Sequence, residues 1–502
     1  MADSGAELSS RQQQAVAELS VDDLTAVLHP SFADDAPMLL TTGLAASPGA
    51  ATGLVAVGSQ AALDLVSAGS TVILVATETT PADVAAMGLS AGILTARGGL
   101  ASHAAVVARG WGIPAVCDAR AISVQDSAFV VGGRRIANGT PISIDGSTGE
   151  VTLGDREISR SWAGPILPAP FAEVLDWADR IMAGRFAVLA NADAGADAAA
   201  ARTLGARGIG LCRTEHMFLE ADRLEIVQRV ILEDAEEHLD DLAAAQRADF
   251  LELLAAMDGL PVAVRLLDAP MHEFLAGADQ AAAAEWHEHN PMLGVRGVRL
   301  GLLRPELYAT QVRALAAAVA DHRAAGGDPR VEIMVPLVSA AGELAAAVRA
   351  VRSAWDGQQA GPVPPIGTMI ETPRACLIAG ELAAEVAFAS FGTNDLTQMV
   401  FGFSRDDTAT RVIGPYVSEG LLDADPFASL DRAGVGALVH GALQRGRAAN
   451  PQLRVGICGE HGGDPASISF AVQAGLDYVS CSPYRVPVAR LAAAQALLAA
   501  PV

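Results

Sequence analysis

In the C-terminal part of the sequence, charged, amide and thiol side chains lie at or shortly after the ends of short apolar runs. They are Arg213, Arg265, Glu371, Asn394, Asp395 and Cys458. Guanidinium groups match carboxylate and phosphate oxygens bidentately, so the two arginines suit a small anion that carries both groups. The carboxylates suit Mg²⁺, which one or two carboxylates hold together with substrate oxygens. Each residue alone is also compatible with an ordinary ion pair or a helix cap. Together they predict a site for a phosphorylated small acid.

A histidine follows a glycine pair in the N-terminal part of the sequence. Gly98-Gly99 is followed by His103 and then by a helical pattern over 104–109. A helix start presents free N–H groups and the positive end of the helix dipole, which stabilise a phosphoryl group. His103 is therefore a candidate covalent phosphoryl carrier. A structural histidine near a turn is the alternative, and the spacing by itself leaves both open.

Eight short apolar runs alternate with alanine-rich helical patterns from about residue 180 onward. They are 187–190, 208–212, 262–267, 332–335, 366–370, 388–391, 455–458 and 478–481. Alternating strands and helices of this number predict a (β/α)₈ barrel, in which active-site residues lie at the carboxyl ends of the strands. The candidate residues follow these runs, so the barrel would bring them to one rim.

The remaining sequence divides by composition. Residues 41–155 are rich in Gly, Val, Ala and Thr and predict a compact α/β domain that carries His103. The prolines at 165, 168 and 170 favour an extended connector. We therefore predict an N-terminal lead-in over 1–40, this α/β domain over 41–155, a linker over 156–180 and the barrel over 181–502.

The charged residues exclude several functions. All 34 basic residues are arginine, against 58 acidic residues, which gives a net charge of −24. Without lysine, neither a Walker-type phosphate loop nor a Schiff-base enzyme can be built. The negative charge disfavours binding to nucleic acid or to an anionic membrane surface.

The cysteines and the apolar stretches indicate the cellular compartment of the protein. The five cysteines are widely spread without a CxxC pair, which predicts neither a disulfide framework nor a zinc site. The first residues show no secretory signal pattern, and glycines and prolines interrupt the uncharged stretch 36–63 too often for a membrane span. We predict a cytoplasmic protein.

Four segments carry a family resemblance. Residues 98–110 (GGLASHAAVVARG) resemble the phosphohistidine signature of the phosphoenolpyruvate-utilising enzymes. Residues 208–218, 390–407 and 458–463 are closer to the pyruvate, phosphate dikinases of that family than to enzyme I of the sugar phosphotransferase system. The resemblance extends from about residue 43 to about residue 494.

The resemblance implies a swivelling phosphohistidine domain joined to a C-terminal (β/α)₈ barrel, and Mg²⁺-dependent phosphoryl transfer between phosphoenolpyruvate and His103. Cys458 would protonate the methylene carbon of the enolate to give pyruvate. The residues implied in substrate binding are Arg213, Arg265, Glu371, Gly392, Thr393, Asn394, Asp395 and Arg405, with Asp268 and Arg296 in support. Glu371 and Asp395 would also bind Mg²⁺. The family resemblance further implies a homodimer formed through the barrel.

The sequence departs from the dikinase pattern in three places. Nothing corresponds to a nucleotide-grasping domain, so we expect the ATP half-reaction to need a partner in trans. We expect the second acceptor of the phosphoryl group to be a separate nucleotide-binding polypeptide or a phosphocarrier protein. Ala101 stands where the family commonly has a regulatory threonine, so we expect that control to be absent. Val295 stands where dikinases often carry histidine.

Three alternative functions remain open. The chain could be an enzyme-I-like relay that passes the phosphoryl group to another protein histidine, or a non-catalytic phosphoenolpyruvate sensor or scaffold. The joint presence of His103, Cys458, Glu371 and Asp395 weighs against the sensor. A Mg²⁺-dependent aldolase or lyase barrel leaves the first 155 residues unexplained.

Overall fold

The computed structural model describes residues 8–33, 38–80, 83–99, 102–159, 167–218, 221–232, 238–275, 286 and 288–500. The chain forms two compact units. The first unit comprises Met1–Ile181, Gly402–Ser429 and Arg490–Ala499. The second, here called the barrel unit, comprises Met182–Phe401, Leu430–Ala489 and Ala500–Val502. Residues 402–429 and 490–499, which we assigned to the barrel domain, thus group with the first unit, and our domain limits stay predictions.

The first unit contains a mixed eight-stranded sheet in the order β1-β11-β10-β3-β4-β5-β6-β2. Its centre, β3 to β6, is parallel, and β4 reads VILVA with almost every residue buried, as expected for a strand covered on both faces. A separate antiparallel sheet contains β7, β8 and β9. The strands are β1 (Leu39–Thr42), β2 (Leu44–Ser47), β3 (Ala50–Val57), β4 (Val72–Ala76), β5 (Gly92–Thr95), β6 (Ala115–Cys117), β7 (Ile122–Gln125), β8 (Ala128–Val131), β9 (Arg134–Ala137), β10 (Pro141–Asp145) and β11 (Glu150–Leu153).

The first unit also contains nine helices or helical turns in the described part of the chain. They are Ser10–Glu18, Val21–Leu28, Ser59–Ser67, Val84–Leu89, His103–Trp111, Ala169–Met182, Arg405–Thr408, Gly414–Ser418 and the π-helical turn Ala409–Ile413. The predicted α/β character of this part of the chain is therefore confirmed.

The helix Ala169–Met182 occupies part of the predicted linker. Leu175 and Ala178 are fully buried on it, and Asp179 pairs with Arg490 at 2.8 Å. This part of the linker is therefore a packed helix and not the extended connector that its prolines favoured. Proline is tolerated in the first turn of a helix because the N–H that it lacks has no intrahelical partner there. Residues 160–166 of the predicted linker lie outside the described residues.

The barrel unit contains eight parallel strands that close into a barrel in sequence order. The ring closes where β12 pairs with β19. The strands are β12 (Ala187–Asn191), β13 (Ile209–Arg213), β14 (Pro261–Arg265), β15 (Arg330–Val335), β16 (Ile366–Ile370), β17 (Phe388–Phe391), β18 (Arg454–Ile457) and β19 (Tyr478–Cys481). The predicted (β/α)₈ barrel is thus confirmed, and all eight apolar runs are strands.

Alanine-rich helices follow the strands because alanine has the highest helix propensity and an apolar stripe docks each helix. In Ala341–Trp355, for example, Leu344, Val348, Val351 and Trp355 are buried at helical spacing. The helices and short 3₁₀ turns are Gly195–Thr203, Glu215–Phe218, Ala221–Leu232, Leu239–Ala256, Met271–Phe274, Pro291–Leu293, Val298–Leu303, Pro305–Ala324, Ala341–Trp355, Pro373–Leu377, Ala379–Ala383, Thr393–Phe401, Val435–Ala449, Glu460–Gly463, Pro465–Ala474, Pro483–Arg485 and Val486–Ala499. None of the described helices combines the length and apolar character needed to cross a bilayer.

A buried amide holds the carboxyl ends of β13 and β14 together. Gln311, on the helix Pro305–Ala324, accepts a hydrogen bond from the backbone N–H of Leu267 at 2.9 Å and donates one to the Thr214 hydroxyl at 2.9 Å. That hydroxyl donates in turn to the carbonyl of Arg265 at 3.0 Å. Gln311 is only 2% exposed, so the loss of its side chain leaves buried polar groups unpaired.

Gln311→Ala is expected to lower the free energy of unfolding by about 1–3 kcal/mol, the cost of leaving buried donors and acceptors without partners. Urea unfolding followed by circular dichroism measures this change. The matched control is Gln473→Ala, an exposed position on the helix Pro465–Ala474, which should change stability by less than about 0.5 kcal/mol. Equal effects of the two substitutions would contradict the assigned role of Gln311.

Candidate active site at the carboxyl rim of the barrel

Eight of the predicted site residues lie at the carboxyl ends of the barrel strands. Arg213 and Arg265 are the last residues of β13 and β14. Glu371 and Cys458 directly follow β16 and β18, and residues 392–395 follow β17. Because all eight strands of the closed barrel are parallel, their carboxyl ends share one rim. The structure therefore brings these residues to the same rim, while their catalytic and binding roles stay predictions.

Arg265 is buried between two carboxylates. Its guanidinium pairs with Glu215 through Nη2 and with Asp268 through Nη1, the latter at 2.9 Å. Burial alone would lower the pKa of Arg265, but Glu215 and Asp268 outweigh it and raise that pKa. The Nε atom is buried and has no hydrogen-bond partner among the described residues. Arg265 is thus a fixed cation whose Nε–H has no partner among the residues that the structure describes.

Arg296 extends this network across the rim. It contacts both oxygens of Asp268, with Nε at 2.9 Å and Nη2 at 2.8 Å. It also donates to both oxygens of Asp395, each at 3.3 Å. Arg296 is 3% exposed and Asp268 is 2% exposed, so the charges interact with little solvent screening. Arg265, Asp268, Arg296 and Asp395, here called the ion network, alternate in sign along a continuous chain of contacts.

Glu371 lies beside this network and is 1% exposed. Its Oε1 accepts a hydrogen bond from the backbone N–H of Leu337 at 2.6 Å. Leu337, whose N–H makes this hydrogen bond, has a φ of +55°. This left-handed conformation is costly for a leucine. Burial raises the pKa of Glu371 well above its usual range, and the negative charges of Asp268 and Asp395 act in the same direction.

A glycine gives Glu371 its space. A Cβ atom at Gly392 would lie 2.6 Å from Oε2 of Glu371 and 2.9 Å from Sδ of Met369. The oxygen that does not accept from Leu337 therefore faces the start of the Thr393–Phe401 helix. Asp395 stands in the first turn of that helix.

The residues present fit a magnesium ion. Glu371 and Asp395 supply hard oxygen donors, and the charge of Asp395 raises the cost of ionising Glu371, a cost that a divalent cation would offset. Among the described residues, no group of three or more His, Cys, Asp or Glu side chains could hold a metal. Mg²⁺ usually takes one or two protein carboxylates and keeps its other ligand positions for water and substrate oxygens.

The Cys458 thiol is buried at the end of β18. Burial raises its pKa to about 11, and the charge of Glu371 acts in the same direction. The backbone N–H of Cys458 donates to the carbonyl of Phe391 at 3.2 Å. At neutral pH the thiol is therefore protonated, as a general acid requires.

Residues of the first turn after β17 bind the loop that follows Cys458. Asn394 accepts a hydrogen bond from the backbone N–H of Glu460 at 3.1 Å, and the Thr393 hydroxyl lies 2.7 Å from Nδ1 of His461. A Cβ atom at Gly459 would collide with the Thr393 hydroxyl at 2.1 Å. Only glycine therefore lets the two loops approach so closely.

Arg213 has a different partner from Arg265. Its backbone N–H donates to Oδ1 of Asp193 at 2.6 Å and its Nε donates to Oδ2 at 3.2 Å. His216 Nδ1 lies 2.8 Å from the same Oδ2. Burial would raise the pKa of Asp193, but Arg213 and His216 outweigh it and hold the pKa well below its usual range.

Two predicted residues belong to the first unit. His103 is the first residue of the helix His103–Trp111, and the Ser102 hydroxyl before it accepts a hydrogen bond from the backbone N–H of Ala105 at 3.4 Å. The expected helix start is thus present, while the His103 side chain lies outside what the structure describes. Arg405 opens the short helix Arg405–Thr408 within the segment Gly402–Ser429 of the first unit. Its part in substrate binding stays a prediction.

Family models match both parts of the chain. The model described as PEP-utilising enzyme, PEP-binding domain, matches residues 175–498, where PEP is phosphoenolpyruvate. The chain belongs to the PEP-utilising enzymes. The model described as PEP-utilising enzyme, mobile domain, matches residues 69–149, which include His103. The family resemblance of the motifs is therefore confirmed.

Curated relatives from plants are similar over almost the whole chain. Pyruvate, phosphate dikinase 1, chloroplastic, from Arabidopsis thaliana is 47% identical over 97% of this chain and 53% of that protein. Pyruvate, phosphate dikinase 2 from Zea mays is 46% identical over 97% of this chain and 58% of that protein. The chain thus spans about half the length of the curated relatives it matches.

Two polar residues at the rim of the barrel were not predicted from the sequence. Asn191 ends β12, and Asp193 follows it by two residues. The predicted site residues follow the second, third, fifth, sixth and seventh apolar runs, and none was predicted after the first. The same criterion, a polar side chain directly after a strand, would have found both.

Asp268→Ala is expected to destabilise the protein by about 3–5 kcal/mol, because it leaves Arg265 and Arg296 buried without their shared carboxylate. Urea unfolding measures the loss. The control is Asp321→Ala, which removes the exposed partner of Arg247 and should cost about 0–1 kcal/mol. A loss of stability for Asp268→Ala no larger than that of the control would show that the ion network does not depend on this carboxylate.

Proposed function

We propose that the chain is a pyruvate, phosphate dikinase-like phosphotransferase that transfers a phosphoryl group between phosphoenolpyruvate and His103, with pyruvate consumed or produced. The observation that carries the proposal is the rim of the barrel, where two arginines, buried carboxylates and a protonated thiol meet. The similarity to pyruvate, phosphate dikinases over nearly all of the chain supports the same reaction.

The arginines supply the charge that binds the substrate. Arg265 is buried and charged and its Nε–H is unpaired in the described part of the chain, and the described hydrogen bonds of the Arg213 guanidinium involve only its Nε. Fixed cations of this kind stabilise the carboxylate and phosphate of a small acid without reorganisation during the reaction. We propose that Arg405, Asn394, and the residues Gly392 and Thr393 at the helix start complete the substrate site.

The transfer step forms a bond between an imidazole nitrogen of His103 and the phosphorus, and it breaks the bond between the phosphorus and the enol oxygen. The electron pair of the broken bond stays on that oxygen, which gives the enolate of pyruvate. The Cys458 thiol then donates its proton to the methylene carbon, and the thiolate is reprotonated from solvent. A pKa of about 11 keeps the thiol protonated until the enolate forms.

We propose that Glu371 and Asp395 hold Mg²⁺. When bound, the ion would offset the negative charge of the phosphoryl and enolate oxygens. The alternating charges of the ion network hold Asp395 in position for this role.

The later fate of the phosphoryl group is a separate proposal. We infer that phosphorylated His103 passes it to an acceptor provided by a nucleotide-binding polypeptide or by a phosphocarrier protein. Discharge of labelled phosphoenzyme by nucleotide with pyrophosphate supports dikinase chemistry, and discharge by a carrier protein supports the enzyme-I-like relay. The homodimer and the cytoplasmic location stay predictions.

His103→Ala is expected to abolish labelling of the protein by phosphoenolpyruvate that carries radioactive phosphorus, because the substitution removes the accepting nitrogen. Binding of unlabelled phosphoenolpyruvate, measured by calorimetry, should persist. His440→Ala, an exposed histidine on the helix Val435–Ala449, is the matched control and should label normally. Label on the His103 variant would contradict the assignment.

Cys458→Ser is expected to slow pyruvate formation by about 10²–10⁴-fold, the usual contribution of a positioned general acid. The affinity for phosphoenolpyruvate should stay close to that of the wild type because the thiol acts after the transfer. Cys376→Ser, another buried thiol, on the helix Pro373–Leu377, controls for the loss of a thiol and should turn over normally. Unchanged turnover of the Cys458 variant would remove its role as the acid.

A further inference from the structure

The carboxyl end of β12 contacts the two groups that the proposed reaction uses at its start and at its end. Asp193 contacts Arg213, and Asn191 contacts the backbone of Cys458. Neither residue has been given a role above. We propose that Asp193 and Asn191 are positioning residues, Asp193 for the substrate-binding guanidinium of Arg213 and Asn191 for the strand end that carries Cys458. This inference rests on the proposed function.

Asp193 fixes both the backbone and the side chain of Arg213. One carboxylate oxygen accepts from the backbone N–H at 2.6 Å, and the other accepts from Nε at 3.2 Å. Contacts at these two points set the direction of the guanidinium plane. No hydrogen bond in the described part of the chain uses the terminal nitrogens of Arg213, so their donors remain available. A planar fork held at Nε can meet an anion with both terminal nitrogens at once.

The charge of Asp193 is constant over the range in which enzymes work. Its side chain is 12% exposed, and Arg213 and His216 keep its pKa well below the usual range. The same oxygen, Oδ2, contacts Nε of Arg213 and Nδ1 of His216. The imidazole limits the movement of the carboxylate from the other side, so Asp193 is itself held in place.

Asn191 acts on the other group. Its amide nitrogen donates to the carbonyl of Cys458 at 3.1 Å, and its amide oxygen accepts from the Ser480 hydroxyl at 2.6 Å. In the barrel, β19 lies between β12 and β18, so Asn191 reaches past one strand to hold the end of the next. The N–H of Cys458 is bound to Phe391 of β17. The thiol is thus carried by a residue whose backbone N–H and C=O are both hydrogen-bonded, one to β17 and the other to Asn191 at the end of β12.

The two contacts predict opposite kinetic effects. Asp193 acts through a substrate-binding residue, so its loss should raise the KM for phosphoenolpyruvate and leave kcat nearly unchanged. Asn191 acts through the proton donor, so its loss should slow proton transfer at the methylene carbon and leave the KM nearly unchanged. A purely structural role would lower both activities together, since it would reduce the fraction of folded protein.

The Asp193 test uses the full chain with Asp193→Asn, and Asp197→Asn as the control that removes a nearby carboxylate on the helix Gly195–Thr203. The expected result is a rise of about tenfold in the KM for phosphoenolpyruvate in phosphoenzyme formation for Asp193→Asn, as for loss of a charge-assisted hydrogen bond, and little change for the control. An unchanged KM, or an equal loss in kcat, overturns the role of Asp193. If Asp193→Asn does not fold, Asp193→Glu, which displaces the carboxylate by one methylene group, must raise the KM instead.

The Asn191 test uses Asn191→Asp, which keeps the acceptor for Ser480 and removes the donor to Cys458. The chain is incubated with phosphoenolpyruvate and pyruvate in deuterium oxide, and deuterium uptake into the pyruvate methyl group is followed by NMR. The expected result is uptake that is slower by about tenfold or more, with the KM unchanged. Uptake at the wild-type rate, or a matching loss in phosphoryl transfer, overturns the role of Asn191. Asn191→Ser, which shortens the side chain without adding charge, must give the same slowing if Asn191→Asp does not fold.

Failure of this inference is distinguishable from failure of the proposed function. If the wild-type chain forms labelled phosphoenzyme and the variants show no split between KM and kcat, only the positioning roles are overturned. If the wild-type chain forms no phosphoenzyme, the proposed function fails. Calorimetric binding of phosphoenolpyruvate then still decides whether Asp193 orients Arg213, since the Asp193→Asn variant must bind about tenfold more weakly than the wild type.

Discussion

The geometry of the rim depends on the buried carboxylate of Asp268, which pairs with both Arg265 and Arg296. In a region of low dielectric an isolated charge is costly, so each member of the ion network is tolerated only because its neighbour has the opposite sign. Arg265 ends β14 and Asp268 follows it by three residues, whereas Arg296 lies in a later loop. Their pairing therefore fixes the positions of these two segments relative to each other and leaves the cations poised for an anionic ligand.

The same low dielectric disfavours the ionised form of two acidic groups of the site. It keeps the Cys458 thiol protonated, which suits the donation of a proton to an enolate. It also penalises the negative charge of Glu371, which lies beside Asp268 and Asp395. A cation that joins these carboxylates, or an anion that joins the arginines, changes the balance of the whole network because its members form one continuous chain of contacts.

Much of the fold could be read from the sequence, for a physical reason. Strands of a closed parallel barrel are buried on both faces, so each one is a short continuous apolar run, and all eight were recognised in that way. The segment before the barrel was harder to interpret. Its prolines favour an extended chain, yet from Ala169 onward burial of Leu175 and Ala178 stabilises a helix. Pro170 in the first turn does not oppose that helix, and tertiary packing stabilises it.

The candidate site shows the same division. The residue types after the strands, the glycine pair before His103 and the family motifs are properties of the sequence, and they indicated the chemistry. The pairing of each carboxylate with its arginine cannot be read from the sequence. Arg296 and Asp395, for example, stand 99 residues apart and meet only when the barrel closes. Burial, and with it the raised pKa of Cys458 and of Glu371, likewise exists only in the folded chain. The sequence by itself therefore determined the barrel and the kinds of groups at its rim. The tertiary structure alone decided their pairing and their charge, since both depend on contacts between strands that are distant along the chain.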